Sequence, residues 1–289
     1  MDSFSTFSYT RRDLILMPRR PAESNKGTFG RVLCVCGSSG MAGAAYLAGK
    51  AALRCGAGLA EILTPEENRT VIQTLLPEAV VTAYSSESPE LEKIENAVLR
   101  ADAVVCGCGL SVTEQSLAVL GCVLRSVTAP AVLDADALNL ISRNPSLLKY
   151  ASGKIITPHP LEMSRLTKLP TEDITKDRSS VCREFAKKHG LVCVLKGHRT
   201  AVSDGSDRVY INRSGNSGMA TGGSGDVLAG ILGGILAQNR SGELSIMEAA
   251  CLGVYLHGLC GDAAAEALGE YSVMASDIIE ALPKVLKQK

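Results

Sequence analysis

The sequence predicts a three-layer α/β/α fold with a mostly parallel central sheet. Two observations lead to this prediction. Short apolar segments alternate along the chain with segments whose apolar residues recur at helical spacing. The short segments are apolar throughout rather than at every second position, which is typical of parallel strands that are buried on both faces. The chain has 289 residues, of which 46% are hydrophobic, and this is enough for one large core.

The predicted elements follow one another without a linker. The strand-length apolar segments are residues 31–37, 59–63, 101–109, 129–136, 153–159, 190–197 and 199–212. Helical spacing follows the first two of them, at residues 44–55 and after Pro65, and covers the last part of the chain from Asp226. No Pro- or Ser-rich stretch and no internal repeat interrupts this order. We therefore expect a single domain over residues 1–289, with residues 1–25 as an N-terminal lead-in.

Charge and composition exclude several classes of function. Lys plus Arg and Asp plus Glu number 30 each, so we expect no basic surface for a nucleic acid. No apolar run reaches the roughly 18 residues that a membrane span needs. The N-terminus lacks the charged, apolar and small-residue regions of a signal peptide. We expect a cytoplasmic protein that binds neither nucleic acid nor membrane.

The cysteines do not form a recognisable metal or disulfide pattern. All ten are scattered, without a CxxC pair and without a His at zinc-finger spacing. Cys34 with Cys36, and Cys106 with Cys108, fall in predicted strands. We expect small buried thiols in a reducing compartment, with a zinc site as the alternative interpretation.

The loops that follow the predicted strands hold most of the clustered glycine and polar residues. These loops are GSSGMAG, GCGL, DADALN, TPHPLE, KGHRT and GGSGD. Ligands of open parallel sheets bind outside the carboxyl ends of the strands. We therefore expect the chemistry of this protein along one edge of its sheet.

The glycine-rich corner at residues 222–225 precedes an apolar pattern of helical spacing. Backbone N–H groups at a helix N-terminus are unpaired, and the helix macrodipole is positive there. Because glycines let a backbone approach a bound group closely, this corner predicts a phosphate site. The alternative is an ordinary helix cap by Ser224 or Asp226. A carboxylate next to a phosphate favours the first interpretation, with Asp226 as the base that takes a proton from an attacking hydroxyl.

Other polar residues at this edge can be interpreted either as functional or as structural residues. His159 lies between two prolines and is either a ligand contact or a structural residue. Lys196 ends a predicted strand, where a plain hairpin turn competes with a functional role. Asp134 and Asp136 are candidate metal ligands, and Asp136 is equally a helix cap. We expect His257, which lies in an apolar helical segment, to be part of the core.

The motifs together resemble a known family. They are TGGSGDVLAGILGGILA, GSSGMAGAAYLAGKAALRCGAGL, DADALN, TPHPLEMSRL and VLKGHRT, within a resemblance that runs from about Lys26 to the end. The first resembles the anion-hole motif of ribokinase-like proteins. The set closely resembles the ADP- or ATP-dependent NAD(P)H-hydrate dehydratases. This implies a ribokinase-like fold and a repair lyase, which phosphorylates the 6-hydroxyl of hydrated NADH or NADPH and then eliminates phosphate.

The resemblance also implies residue roles. Asp226 is the expected catalytic base, and the expected anion hole is formed by Gly222, Gly223, Ser224 and Gly225. The expected nucleotide contacts are Lys196, Gly197, His198, Arg199, Thr200 and Gly225. The hydrated dinucleotide is expected to contact Ala45, Gly109, His159 and Asp226. Glu162 is expected near Mg²⁺ and its waters, with ADP or ATP as the co-substrate.

Two departures from the family pattern stand out. Leu161 replaces the glycine of the usual TPHxGE loop, so we expect a shift of the loop that places Glu162. Ser224 stands where threonine is commoner, with little expected effect. The family further implies a homo-tetramer and, because a second domain does not fit before Lys26, a separate epimerase protein. A small-molecule kinase of the same fold and a non-catalytic nucleotide-binding protein are the competing hypotheses.

Overall fold

A ten-stranded sheet forms the centre of the protein. The computed structural model describes residues 4–287. The strands are β1 (Ser5–Phe7), β2 (Arg31–Val35), β3 (Leu59–Pro65), β4 (Val80–Tyr84), β5 (Ala103–Cys106), β6 (Ala131–Leu133), β7 (Ile155–Ile156), β8 (Val192–Leu195), β9 (Ala201–Ser203) and β10 (Arg208–Ile211). Their order across the sheet is β1-β10-β9-β8-β7-β6-β5-β2-β3-β4.

The strands pair in parallel apart from β9, which runs antiparallel to β8 and to β10. This exception has a simple cause. A parallel connection needs a crossover of a dozen or more residues, and the loops on either side of β9 are far shorter. The prediction of a mostly parallel sheet is therefore confirmed. The carboxyl ends of the parallel strands lie along one edge.

Helices cover both faces of the sheet. They are α1 (Ala42–Arg54), α2 (Arg69–Leu75), α3 (Leu91–Leu99), α4 (Glu114–Ser126), α5 (Asp136–Arg143), α6 (Pro160–Thr167), α7 (Thr171–Lys176), α8 (Arg178–His189), α9 (Ser224–Gln238), α10 (Ile246–Leu268) and α11 (Ala275–Lys287). Within residues 4–287, none of them combines the length and the apolarity that crossing a membrane requires.

The two faces of the sheet form two separate hydrophobic cores. On β2, Val32 and Cys34 belong to the core under α1, α9, α10 and α11. Leu33 and Val35 of the same strand belong to the core under α3, α4, α5 and α8. Successive side chains of a strand point to opposite faces, so a strand covered on both sides must be apolar throughout. This explains the continuous apolar segments of the sequence.

The N-terminal segment and one edge strand depart from the sequence prediction. β1 lies within the predicted lead-in, yet it pairs in parallel with β10. Leu14 and Met17, further along the same segment, are buried in the core. At the opposite edge, β4 was not predicted either. Both are short edge strands with mixed burial, and their apolar pattern is weak because only part of each faces a core.

Close packing of α1 against α9 fixes where α9 begins. A Cβ at Gly230 of α9 would lie only 2.2 Å from the carbonyl oxygen of Ala48 on α1. A Cβ at Gly234 would lie 2.8 Å from the carbonyl oxygen of Ala52. These glycines therefore allow α9 to pack closely against α1. In this packed position the N-terminus of α9 lies at the carboxyl edge of the sheet.

Candidate functional site

The first turn of α9 is open. The residue before the helix is Gly223, whose φ of +88° lies in the left-handed region, and no side chain of residues 4–287 caps the helix there. The predicted alternative of a cap by Ser224 or Asp226 is therefore wrong. A Cβ at Gly223 would also lie 2.5 Å from Leu47 Cδ1. Glycine is needed at this position both for its backbone angle and for space, and the helix N-terminus is left available to an anion.

Asp226 lies in the first turn of α9, in a partly buried position. Burial and the nearby charge of Asp134 together raise the pKa of its carboxyl to about 6. One ligand atom from each of Cys108, Asp134 and Asp226 lies within 4.8 Å of the others. A carboxylate whose pKa approaches neutrality is suited to accept a proton in general base catalysis.

Lys196 provides a fixed positive charge beside this helix end. Its Nζ lies 2.6 Å from Asp134 Oδ1 and 3.9 Å from Glu162 Oε2. Burial by itself would lower the pKa of Lys196, but the two carboxylates raise it above its ordinary value. A Cβ at Gly225 would lie 3.4 Å from the same Nζ. The structure therefore brings the KGHRT loop and the glycine corner together, as predicted.

The loop at residues 196–200 is also the connection between β8 and β9. Gly197 has a φ of +145° and Arg199 a φ of +58°. Thr200 Oγ1 donates a hydrogen bond of 3.0 Å to the carbonyl oxygen of Gly197. His198 and Arg199 at the tip are exposed. The hairpin-turn and functional interpretations of this loop are thus compatible.

The first turn of α6 is closed by its own side chains. His159 Nδ1 accepts hydrogen bonds of 3.2 Å from the N–H groups of Leu161 and Glu162. Glu162 Oε2 accepts one of 2.8 Å from the N–H of His159. Burial raises the pKa of Glu162 to about 7 and lowers that of His159. Leu161 is exposed and adopts an ordinary helical backbone, so the helix accommodates it while Glu162 stays buried.

Ala45 and Gly109 lie behind the surface of the site. Ala45 has no exposed surface, so its predicted contact with a ligand does not follow from its side chain. Gly109 is buried with a φ of +62°, and a Cβ there would lie 2.8 Å from Ala44 Cβ. Gly109 therefore allows its loop to pack closely on the start of α1.

The structure gives several polar residues other roles than the predicted ones. Asp134 is buried and pairs with Lys196, a role that the sequence did not indicate. Asp136 does not cap α5, since it accepts a 2.8 Å hydrogen bond from the N–H of Ser111. His257 is more than a core residue, because its Nε2 lies 3.4 Å from Ser224 Oγ. Burial lowers the pKa of His257 to about 4.

All ten cysteines are buried free thiols, as expected. Cys108 lies at the site although the sequence did not predict it there, and its Sγ lies 3.9 Å from Asp134 Oδ2. A hydrogen bond with the neighbouring Cys36, together with burial, raises the pKa of Cys108 well above its ordinary value, so Cys108 is a neutral thiol in the wall of the site. Helix α4 and strand β6 separate Cys108 from Asp134 in sequence, and no local pattern links the two residues.

A family model described as NAD(P)H-hydrate dehydratase matches residues 32–284. This range contains the open turn of α9, the loop of Lys196 and the closed turn of α6. The chain belongs to the NAD(P)H-hydrate dehydratase family. The identification from sequence motifs is therefore confirmed at the level of the family.

Solved structures confirm the ribokinase-like fold that the family implies. A ribokinase-like superfamily protein from Enterococcus faecalis superposes with a TM-score of 0.87 at 32% identity, covering 98% of this chain and 96% of that chain. An ADP/ATP-dependent NAD(P)H-hydrate dehydratase from Bacillus subtilis was co-crystallised with ATP and Mg²⁺. It superposes with a TM-score of 0.82 at 32% identity, covering 96% of this chain and 97% of that chain.

Some members of the dehydratase family are longer. A bifunctional NAD(P)H-hydrate repair enzyme from Moorella thermoacetica is 40% identical over 280 residues. The alignment covers 94% of this chain but 52% of that enzyme. The present chain thus spans about half the length of this relative.

Proposed function

We propose that this protein is an ADP- or ATP-dependent NAD(P)H-hydrate dehydratase, a lyase that returns hydrated NADH or NADPH to the active cofactor. One observation carries the proposal above the others. The uncapped first turn of α9 carries Asp226 and brings Gly225 close to the ammonium group of Lys196, within a chain that belongs to this family. A base, an anion site and a fixed cation are the parts that phosphoryl transfer requires.

In the proposed reaction, the 6-hydroxyl of the hydrated nicotinamide ring attacks the terminal phosphoryl group of the nucleotide. Asp226 takes the hydroxyl proton as the new O–P bond forms, and the bond between the transferred phosphorus and the nucleotide breaks, so that ADP leaves as AMP or ATP leaves as ADP. Backbone N–H groups of residues 222–225 and the ammonium of Lys196 stabilise the charge on the transferred group. Phosphate then leaves from C6 while a proton leaves from C5, and the C5=C6 double bond is restored.

The expected ligand contacts divide between the two sides of this corner. We propose that residues 196–200 and Gly225 hold the nucleotide, and the 3.4 Å distance between a Cβ at Gly225 and Lys196 Nζ supports this placement. The hydrated dinucleotide would lie toward His159 and Gly109. Ala45 would contribute to that side indirectly, by packing under the GSSGMAG loop. A Cβ at Gly37, the first residue of this loop, would lie 3.2 Å from Ala45 Cβ.

The residues present fit a magnesium ion that is held mainly by the nucleotide. Mg²⁺ prefers oxygen ligands and keeps several waters when it binds substrate phosphates. Glu162 Oε2 is engaged by the N–H of His159, and Asp134 Oδ1 by Lys196. Glu162 would therefore reach the ion through water rather than directly. When bound, the ion would neutralise negative charge on the transferred phosphoryl group.

The decisive experiment offers purified protein hydrated NADH with ADP and Mg²⁺. We expect the absorbance band of reduced nicotinamide to return, with release of one phosphate per NADH. Parallel reactions with ATP and with hydrated NADPH identify the preferred donor and substrate. Phosphate transfer to a small alcohol without any repair of the hydrate would instead establish the kinase hypothesis. Nucleotide binding without turnover of either substrate would favour a non-catalytic protein.

We also propose a cytoplasmic homo-tetramer that works with a separate epimerase. Exposed apolar side chains support an interface between copies. Leu268, Tyr271 and Met274 are exposed by 49%, 107% and 60% within one short segment at the end of α10. Light scattering on the purified protein measures the oligomeric state directly.

A further inference from the structure

Arg178, the first residue of α8, supports the loop at residues 196–200 from the adjacent helix. Its Nη1 donates a hydrogen bond to the carbonyl oxygen of His198. Its guanidinium also lies against Gly197, close to the position that a Cβ would take there. A Cβ at Gly197 would be 3.0 Å from Nη2 and 3.1 Å from Cζ of Arg178. One arginine therefore contacts two consecutive residues of the loop.

The placement of Arg178 is unfavourable for the helix and for the arginine itself. A positive charge in the first turn of a helix opposes the macrodipole. The Nε atom is buried and has no hydrogen-bond partner among residues 4–287. Buried donors are nearly always paired in folded proteins, so an unpaired one calls for an explanation. Neither feature stabilises α8, and the unpaired Nε accompanies a guanidinium that is turned toward the loop.

Gly197 gives the loop an unusual dependence on this contact. Its φ of +145° is one that residues with a side chain rarely adopt. The residue before it is Lys196, whose ammonium lies 2.6 Å from Asp134 and beside Gly225. A change of backbone angle at Gly197 would therefore redirect both the lysine and the exposed tip formed by His198 and Arg199.

We propose that Arg178 is a positioning residue for nucleoside diphosphate binding. It holds residues 197 and 198 so that Lys196 stays directed at the open turn of α9. This inference rests on the proposed nucleotide site at residues 196–200. Arg178 acts through the loop and does not contact the reacting atoms, so its loss should weaken nucleotide binding more than it slows the chemical step.

Arg183 on the same helix offers a matched control. Its Nε donates a 2.7 Å hydrogen bond to the carbonyl oxygen of Ser206, and its Nη2 lies 2.7 Å from Asp207 Oδ1. These residues form the turn between β9 and β10, at the other end of the hairpin. Arg183 is more deeply buried than Arg178, and it supports a segment that lies outside the proposed site.

The test compares Arg178→Met, Arg178→Lys and Arg183→Met with the wild-type protein. Calorimetry gives the Kd for ADP, steady-state kinetics with hydrated NADH give KM for ADP and kcat, and thermal unfolding gives Tm. We expect Arg178→Met to raise Kd and KM for ADP at least about tenfold, the effect of losing a hydrogen bond from a charged group. The value of kcat should fall by a smaller factor than Kd and KM rise, because Lys196 keeps its ion pair with Asp134. Arg178→Lys should restore part of the affinity, because lysine keeps the charge and one donor.

Arg183→Met should lower Tm and leave the Kd for ADP unchanged. Wild-type affinity in Arg178→Met, or an equal loss of affinity in Arg183→Met, would overturn the proposal. If Arg178→Met does not fold, the Kd of Arg178→Lys decides, and an unchanged value overturns it. A wild-type protein that binds ADP but does not repair hydrated NADH contradicts the proposed function alone, since the Kd comparison still stands.

Discussion

Two helices begin at the same edge of the sheet, and their first turns are built in opposite ways. In α6, the side chains of His159 and Glu162 accept hydrogen bonds from the first N–H groups of their own helix. In α9, a glycine precedes the helix and no side chain caps it. One N-terminus is satisfied internally, and the other remains open to a ligand.

This difference decides which helix can bind an anion. Free N–H groups and the positive end of the macrodipole attract phosphate, and both are lost in part when side chains occupy them. In α6 the capping hydrogen bonds instead hold His159 and Glu162 in fixed positions, with Glu162 Oε2 3.9 Å from Lys196 Nζ. The open turn is therefore the proposed site of charge stabilisation, and the closed turn forms a wall beside it.

The largest effect should come from removing the base on the open turn. Asp226→Asn should lower turnover of hydrated NADH by roughly 10²–10⁴-fold, the usual range for losing general base catalysis. ADP binding should persist, since a negative charge beside the phosphate has gone. Steady-state kinetics and calorimetry measure the two properties separately. Wild-type turnover in this variant would show that the carboxylate takes no part in the reaction.

The pH dependence of the wild-type protein provides a control for this variant. Burial raises the pKa of Asp226 to about 6, so kcat/KM should increase through about pH 6 as the base loses its proton. The contribution of Asp226 to folding stability changes with pH in the opposite direction to kcat/KM. Because the folded pKa lies above the unfolded one, the stabilising contribution is present at low pH and is lost as pH rises through 6. Asp226→Asn should therefore not lower Tm at about pH 8.

A smaller but substantial effect is expected from filling the open turn. Gly225 has a helical backbone, so the left-handed position is Gly223 and not Gly225. A Cβ at Gly225 would lie 3.4 Å from Lys196 Nζ and 3.7 Å from Asp134 Oδ2. Gly225→Val should thus lower turnover by about 10²-fold through misplacement of the phosphate, without unfolding the protein. Normal turnover in the folded variant would mean that phosphate does not approach this residue.

The smallest effect should come from the closed turn, and it should be on stability. Glu162→Ala leaves the N–H of His159 without its acceptor, at a cost of about 0.5–2 kcal/mol. We expect Tm to fall by about 2–4 °C per kcal/mol. Tm should be measured at pH 6. Burial raises the pKa of Glu162 to about 7, so at pH 6 most of this side chain is protonated and the cost of burying its negative charge is small.

Glu162→Gln is the matched control for this change. Glutamine keeps an oxygen that accepts the same hydrogen bond, so its Tm should stay close to that of the wild-type protein. Equal Tm values for the alanine and glutamine variants would show that the closed turn contributes nothing to stability. Turnover in both should exceed that of Asp226→Asn.

Much of the site could be predicted because its parts are local in sequence. The glycines of residues 222–225, the carboxylate of Asp226 and the helical pattern that follows are contiguous, and they predict an open helix N-terminus without knowledge of the fold. Strand ends predict the edge at which loops meet. Asp134 was harder to interpret, because its partner Lys196 is 62 residues away.

The sequence by itself determined the alternation of strands and helices along most of the chain, the burial of both sheet faces and the glycine corner. These follow from apolar periodicity and backbone freedom, which act over a few residues. Only the tertiary structure decided that β1 joins β10, that Asp134 pairs with Lys196 and that Arg178 donates a hydrogen bond to His198. Each of these contacts joins segments that are distant in the chain, and their energy depends on distance and burial that exist only after the sheet has formed.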